Sequence, residues 1–376
     1  MRAGRLEGFR VDATSGAGKS RGRRRFGLHG SRGKSHDRPA PEVVVETAKP
    51  PENGTFYGAL DLGTNNCRLL IAVPTEQGFH VRDAFSRIVR LGEGLSKTGA
   101  LNEAAMVRTI EALRVCSNKL VWHKVKKRRL IATEACRMAA NGVEFIDRVN
   151  AETGMVLEII DRETEAQLAA TGAEPLIDPS AESALIFDIG GGSTEIMWVE
   201  RRGAKHEILA WTSLAAGVVT ISEQFGGGVD VTAQSFAAMR SYLRPMLAEF
   251  VSRVQAIKGS APIPSHLLGT SGTVTTIAGV QMGLRRYDRS RVDGSWISSA
   301  DVGKVTADLL AMTYDERILN ACIGKERADL VMAGCAILEE IRVAFPAERI
   351  RVADRGLREG ILTKLMKDDG TYGRAP

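Results

Sequence analysis

The sequence predicts an α/β protein made of two like-folded halves that face one another across a cleft. The first observation is an internal likeness. ALDLGTNNCRLL (residues 59–70) and IFDIGGGSTEIM (residues 186–197) place Asp, an aliphatic residue and Gly at the same offsets, then a polar turn and a returning strand. The two units lie about 127 residues apart, too far for a solenoid repeat. The second observation is that short apolar runs alternate with segments of helical spacing. The third is LLGTSGTV (residues 267–274), a strand that enters another glycine turn ahead of an apolar helix. A chain of 376 residues is long enough to bury a core in each half.

Taken in order, residues 1–54 are rich in Gly, Arg, Ser and Pro without a sustained period, which predicts a disordered basic tail. Within it ATSGAGKS (residues 13–20) approaches a P-loop, but MRAGRLEGFRVD precedes it and RGRRR follows. A P-loop needs a buried strand before and a helix after, so a solvated tail is preferred, with contact to polyanions as the runner-up. Order begins near Phe56. The first half is expected over residues 55–170 and the second over residues 171–376, with the final helix returning to the first.

YGALDLGTNNCRLLIAV reads as strand, polar turn and strand. Residues 102–121 carry Met106, Ile110, Leu113 and Leu120 at helical spacing after a fair helix start. RRLIATEACR reads as a strand running into a loop, residues 142–153 as a helix, VLEIID as a strand, and ETEAQLAATGA as the opening of another helix. After the second hairpin come a helix-rich span over residues 213–258, the strand at His266, and a largely helical final third with one late strand, RIRVAD.

Of the 51 Lys/Arg and 45 Asp/Glu, residues 1–54 hold 12 and 6. The remainder therefore has 39 of each, and the net charge of +6 belongs to the tail. Apolar residues at 44% and charged at 26% fit an ordinary soluble domain. No apolar run approaches the ~20 residues of a membrane span. The N-terminus lacks the apolar stretch of a secretory signal. Five scattered cysteines without a CxxC pair point to reduced thiols in a cytoplasm.

The chemistry resides in the turns. Gly190, Gly191 and Gly192 permit positive φ and close approach of backbone N–H groups to a ligand, and Ser193 and Thr194 add hydroxyls, the makings of an anion nest. Asp188 ends the incoming strand at the same pocket. A bare carboxylate beside phosphate would be repelled unless a cation stood between them, and Mg²⁺ is the usual choice. The first hairpin supplies Asp61, Gly63, Thr64 and Asn65. In the third turn Gly269, Ser271 and Gly272 suit a further phosphate at a helix N-terminus. The histidines form no metal-ligand pattern, and neither Ser–His nor Cys–His catalysis has a supporting constellation. Glu134, Glu163 and the KVKKRR run (residues 124–129) read as solvated.

DLGTNNCRLLIA, ATEACRMAANG, IIDRETEAQLA, FDIGGGSTEI and LLGTSGTVTTIAG, in that order, resemble the exopolyphosphatase/guanosine pentaphosphatase (Ppx/GppA) family. With SLAAGVVTISE and ADRGLREG, the likeness runs over residues 56–365. It implies the actin-like superfold shared with sugar kinases and chaperone ATPases: two domains with mixed sheets flanked by helices, the active site between them. Position by position it implies that Glu165 activates the attacking water, that Asp61 and Asp188 hold Mg²⁺, and that Glu195 assists near the metal. It further implies that Arg137 grips phosphate; Arg90, in RIVRLGEGL, is a further phosphate contact on fewer grounds.

The resemblance implies a hydrolase that releases terminal phosphate from polyphosphate or guanosine pentaphosphate. Gln167 stands where the family often has Arg. The chain ends soon after LREG, without the helical C-terminal domains of longer relatives. Distributive cleavage is therefore expected, with dimerisation as a way to regain a second basic surface. A nucleoside triphosphate phosphatase, a kinase, and a non-hydrolytic polyphosphate- or nucleotide-binding regulator are the competing readings. Glu165 argues against the regulator, which needs no base.

Overall fold

Two mixed sheets carry the molecule, and each is centred on one of the Asp–Gly hairpins. The computed structural model describes residues 55–203 and 205–374; the basic tail, with its P-loop-like stretch, lies outside them. The described residues belong to one compact unit. In the first half β1 (Tyr57–Leu62), β2 (Asn66–Thr75) and β3 (Gly78–Ile88) form an antiparallel meander. Helices α1 (Leu95–Thr98) and α2 (Glu103–Trp122) follow, then β4 (Lys127–Ala132), α3 (Glu134–Met138), α4 (Gly142–Thr153), β5 (Glu158–Ile159) and α5 (Arg162–Ala173). β4 joins β1 in parallel, giving the order β3-β2-β1-β4-β5.

The second half repeats the plan. β6 (Ser183–Ile189), β7 (Thr194–Arg202) and β8 (Lys205–Leu214) form the meander, followed by α6 (Val218–Gln224) and the long α7 (Ala233–Lys258). β9 (His266–Thr270) joins β6 in parallel and leads into α8 (Ser271–Gln281). Then come α9 (Arg289–Val292), β10 (Trp296–Ser298), α10 (Ser299–Ala311), α11 (Tyr314–Leu319), α12 (Val331–Ala344), β11 (Arg349–Ala353) and α13 (Leu357–Asp368). The strand order is β8-β7-β6-β9-β11-β10. The repeat is one of architecture, two mixed sheets flanked by helices.

Local physics accounts for the main elements. Asn102 caps α2 by accepting from Ala105 N at 2.8 Å, and Ile110, Leu113 and Leu120 form its buried stripe. Asp161 caps α5 in the same way through Thr164 N at 2.7 Å. The last helix of each half covers the other half's sheet. The alanines of α5 (Ala166, Ala170, Ala173) pack on Ile186, Met197 and Val199 of the second sheet. α13 runs back over the first, with Ile361, Leu362 and Met366 on Tyr57, Ala59 and Leu70. The two helices cross in backbone contact: a Cβ on Gly172 would lie 1.9 Å from Gly356 O, and one on Gly360 1.9 Å from Leu168 O.

The sequence reading passes over β3, β8 and β10. β3 and β8 carry polar residues on an open face, so their apolar signal is halved. β10, at the far edge, has three residues. Ser213 and Leu214 close β8 instead of opening a helix, and TEACR enters the short helix α3 rather than a loop. No helix of the described residues is long and apolar enough to cross a membrane.

Candidate functional site

The two hairpins are superimposable in register. In the first, Leu62 pairs with Cys67 and Asp61 with Arg68; in the second, Ile189 pairs with Thr194 and Asp188 with Glu195. Each turn is tied by the same bond, Gly63 N to Asn66 O and Gly190 N to Ser193 O, both 2.9 Å. Asp61 and Asp188 thus reach the ends of central strands, where a cavity opens between the halves. Its wall includes Asp61, Thr64, Asn65, Glu165, Asp188, Gly190, Gly191, Gly192, Ser193, Glu195, Ser271 and Gly272. Gly63 lines it as well.

The glycines serve close approach rather than left-handed geometry. None of Gly190, Gly191 and Gly192 has positive φ; in the third turn Ser271 has it instead, at 77°. A Cβ on Gly191 would lie 3.0 Å from Thr64 Cβ, and one on Gly192 would lie 2.7 Å from Thr64 Oγ1. The two turns touch, and side chains there would push them apart.

Burial dominates the electrostatics. It pushes Asp61 up to about 6; Arg68 and Arg358 pull the other way, while Asp188 and Glu359 add to the rise. Asp188 is also raised by burial, against the hydroxyls of Thr270 and Ser271 and the charge of Arg68. Glu195 is pushed up to about 7 by burial and by Asp188, opposed by hydroxyls that include Ser213 Oγ, which donates to Glu195 Oε1 at 2.8 Å. Glu165 lies well above the ordinary range through burial and Glu195, against the pull of Arg137. Four carboxylates that resist ionisation in one cavity mark a site built to receive positive charge.

Several expected residues lie elsewhere. Arg137 borders a shallow neighbouring depression with Arg162 and Trp211. It donates to Glu165 Oε2 at 3.0 Å, Glu134 Oε2 at 2.5 Å and Ile160 O at 2.5 Å, so here it holds the carboxylates. Arg90 is bound to Asp329, away from the cavity wall. Thr194 turns its hydroxyl inward to Ala216 O at 2.6 Å. Gly269 lies inside β9, where a Cβ would lie 2.6 Å from the Phe187 ring. Glu134, read as solvated, is buried in the cavity wall: its own burial would push it up, but the guanidinium groups of Arg162 and Arg137 keep its carboxylate low. Glu163 is exposed, as read.

Arg68, Arg358, Arg327, Thr133 and Glu359 line the cavity, although their stretches of sequence do not mark them as site residues. Among the described residues, neither Arg68 nor Arg358 donates a side-chain hydrogen bond to the protein, which leaves both for an anion. The offset of seven from Asp61 to Arg68 equals that from Asp188 to Glu195, and this repeat was the available signal.

The donor set can be tested against a divalent cation. No three His, Cys, Asp or Glu side chains of the described residues form a ready-made metal cluster. The carboxylates of Asp61 and Asp188, with Asn65 Oδ1 buried and without a partner among the described residues, offer oxygen donors at the cavity wall. Mg²⁺ commonly takes one or two carboxylates and leaves its other positions to water and phosphate, so the residues fit it.

The model of the Ppx/GppA phosphatase family matches residues 70–369. This chain belongs to that family. It is 29% identical to Exopolyphosphatase 2 of Mycobacterium tuberculosis over 324 residues, covering 83% of this chain and 98% of the relative. Among solved structures it is similar to an exopolyphosphatase from Cytophaga hutchinsonii, at TM-score 0.74 and 26% identity, covering 85% of this chain and all (100%) of that one. It is also similar to the Aquifex aeolicus Ppx/GppA family member, at TM-score 0.70 and 26% identity over 84% of this chain and 98% of that one. Membership in this phosphatase family agrees with a cavity in which Arg68 and Arg358 stand free to meet an anion among the described residues and the buried carboxylates can hold a cation.

Proposed function

We propose that this Ppx/GppA phosphatase is a Mg²⁺-dependent exopolyphosphatase that releases the terminal phosphate of inorganic polyphosphate by attack of water. The observation that carries the reading is the meeting of Asp61, Asp188, Glu165 and Glu195 with Arg68 and Arg358 in one cavity. Asp61 and Asp188 would hold Mg²⁺, which when bound neutralises phosphoryl oxygens and lowers the carboxylate pKa values.

Glu165 takes the proton of the attacking water. Its raised pKa makes it a stronger base than an exposed glutamate, and the Arg137 bond fixes its orientation. The water oxygen bonds to the terminal phosphorus as the bridging P–O bond breaks. The released electron pair remains on the shortened chain, whose terminal oxygen is protonated from solvent as needed. Arg68, Arg358 and the amides of the glycine turns bear on the charge that spreads over the phosphoryl oxygens, where most catalysis of such transfers lies.

The test is phosphate release from short polyphosphate, long polyphosphate, guanosine pentaphosphate and ATP, each with and without Mg²⁺. Release from polyphosphate that disappears with chelation is expected. Preferential release from guanosine pentaphosphate or ATP would reassign the substrate, and binding without release would make the protein a sensor.

A further inference from the structure

The end of the first sheet that faces away from the cavity carries a surface that the proposed reaction does not use. β1 and β4 run in parallel from this end, where Tyr57 pairs with Lys127, toward Asp61 and Thr133 at the cavity wall. Four strand steps from Tyr57 to Asp61, at ~3.3 Å each, put about 13 Å between the two. Residues 1–54, with 12 Lys/Arg against 6 Asp/Glu, are attached to the sheet at the same end.

Charge and an aromatic ring meet there. In KVKKRR (residues 124–129) Lys127 and Arg129 are paired, with Asp369 at 3.1 Å and Glu158 at 3.0 Å. Lys124, Lys126 and Arg128 are exposed and have no ion pair among the described residues. The nearby Asp83 is taken by Lys119 and by the His123 ring, at 2.9 Å each. Arg128 lies on the face of the sheet that α2 covers, since a Cβ on Gly58 would meet both Leu120 of α2 and Arg128 Cβ. α2 itself ends in Val121 and Trp122, 71% and 53% exposed. Trp198 is buried and Trp211 and Trp296 are half-buried, so Trp122 is the exposed tryptophan. Its ring meets that of His123 edge to face, centroids 4.4 Å apart, and His123 is buried against Phe56 and bonded to Asp83. The indole is thus held in place while much of it faces water. One exposed apolar side chain is ordinary. One fixed beside three unpaired cations is the combination by which proteins bind single-stranded nucleic acid, cations on the phosphates and a ring under a base.

We propose that this end of the first half binds single-stranded nucleic acid, with a base stacked on Trp122 and backbone phosphates on Lys124, Lys126 and Arg128. Inorganic polyphosphate would meet the cations but has no base to offer the indole, so Trp122 separates the two polyanions. The surface stands apart from the cavity, and its ligand does not depend on the substrate assigned there.

The test is binding of a dye-labelled, mixed-sequence single-stranded RNA to the full chain without divalent metal, followed by fluorescence anisotropy over a salt series. Trp122→Ala should weaken binding roughly fivefold or more, the lower end of what one stacked base contributes, and leave the salt dependence as it was. Lys124→Gln, Lys126→Gln and Arg128→Gln together should weaken it and lower the slope of log K against log salt by about 2, at ~0.7 per phosphate contact. RNA should quench the tryptophan fluorescence of the parent and not that of Trp122→Phe. Failure of the parent to bind, or equal binding by parent, Trp122→Ala and the triple variant, refutes the surface. Weakening in the triple variant alone, with long polyphosphate competing as well as unlabelled RNA, refutes the nucleic-acid assignment in favour of a general polyanion patch. A parent dimer that Trp122→Ala dissociates, with RNA binding unchanged, gives the face to a second copy of the chain and refutes it too. If Trp122→Ala does not melt cooperatively, the quench decides in its place, and an unquenched parent overturns the proposal. Phosphate release is not part of the readout, so failure of the substrate assignment leaves this result standing.

Discussion

In the first hairpin the residue opposite Asp61 is Arg68; in the second the residue opposite Asp188 is Glu195. Strand register, turn length and the bond closing the turn are shared, so the backbone does not explain why one half brings a cation and the other a second carboxylate. Arg68 pulls against the raised pKa of both aspartates, while Asp188 adds to the rise of both Asp61 and Glu195. A duplicated scaffold can thus be divided by charge. One hairpin presents a guanidinium to the cavity, and the other a second buried carboxylate.

The largest expected effect removes the group between the hairpins. Glu165→Gln should leave the fold intact and lower phosphate release by ~10²-fold or more. A folded variant with near-normal turnover would make Glu165 a structural carboxylate.

Next, Asp61→Asn and Asp188→Asn should each raise the Mg²⁺ concentration for half-maximal activity by roughly tenfold or more, the scale on which metal sites respond to a lost supporting group. If only one midpoint moves, the cation belongs to one hairpin and not to both.

The charge division itself is tested by stability in the absence of divalent metal. Glu195, raised to about 7 by burial and Asp188, adds stability below its unfolded value of about 4.5 and loses it as pH rises through about 7. Glu195→Gln should therefore be more stable than the parent at pH 8, by on the order of 2–3 kcal/mol, and nearly equal to it at pH 4. Arg68→Gln should go the other way at pH 8, by ~1–3 kcal/mol, because it leaves buried carboxylates uncompensated. Thermal melts of the metal-free proteins at both pH values decide it; shifts of the same sign would mean that the two positions are not complementary.

The smallest effects separate the turns by packing. Gly192→Ala meets Thr64 and Glu134 and should cost ~1–3 kcal/mol by denaturant titration. Gly63→Ala meets nothing nearer than Asn66 O at 3.6 Å and should stay within about 0.5 kcal/mol. Equal costs would show that the turns do not bear on one another.

The pieces whose signal is local could be read from the chain alone. Two Asp–Gly turns at matching offsets, the alternation of strands and helices, and the helix of ETEAQLAATGA with Glu165 near its start are all written in neighbouring residues. Tertiary structure decided what depends on distant partners. Glu134 read as a solvated acid because Arg162, 28 residues on, reaches it only when α3 meets α5; Arg137, its other partner, is a neighbour within α3. Arg90 read as a phosphate ligand, and Asp329, 239 residues away, takes it instead. Gly191 and Gly192 read as conformational glycines, but the space they leave is occupied by Thr64 of the other hairpin. Arg68 carried no signal on its own strand, because its meaning lies in the cavity it shares with Asp188. Hydrophobic period and turn chemistry act over a few residues and survive in the one-dimensional record. Charge pairing and close approach act through space, and only the folded chain sets which groups are near.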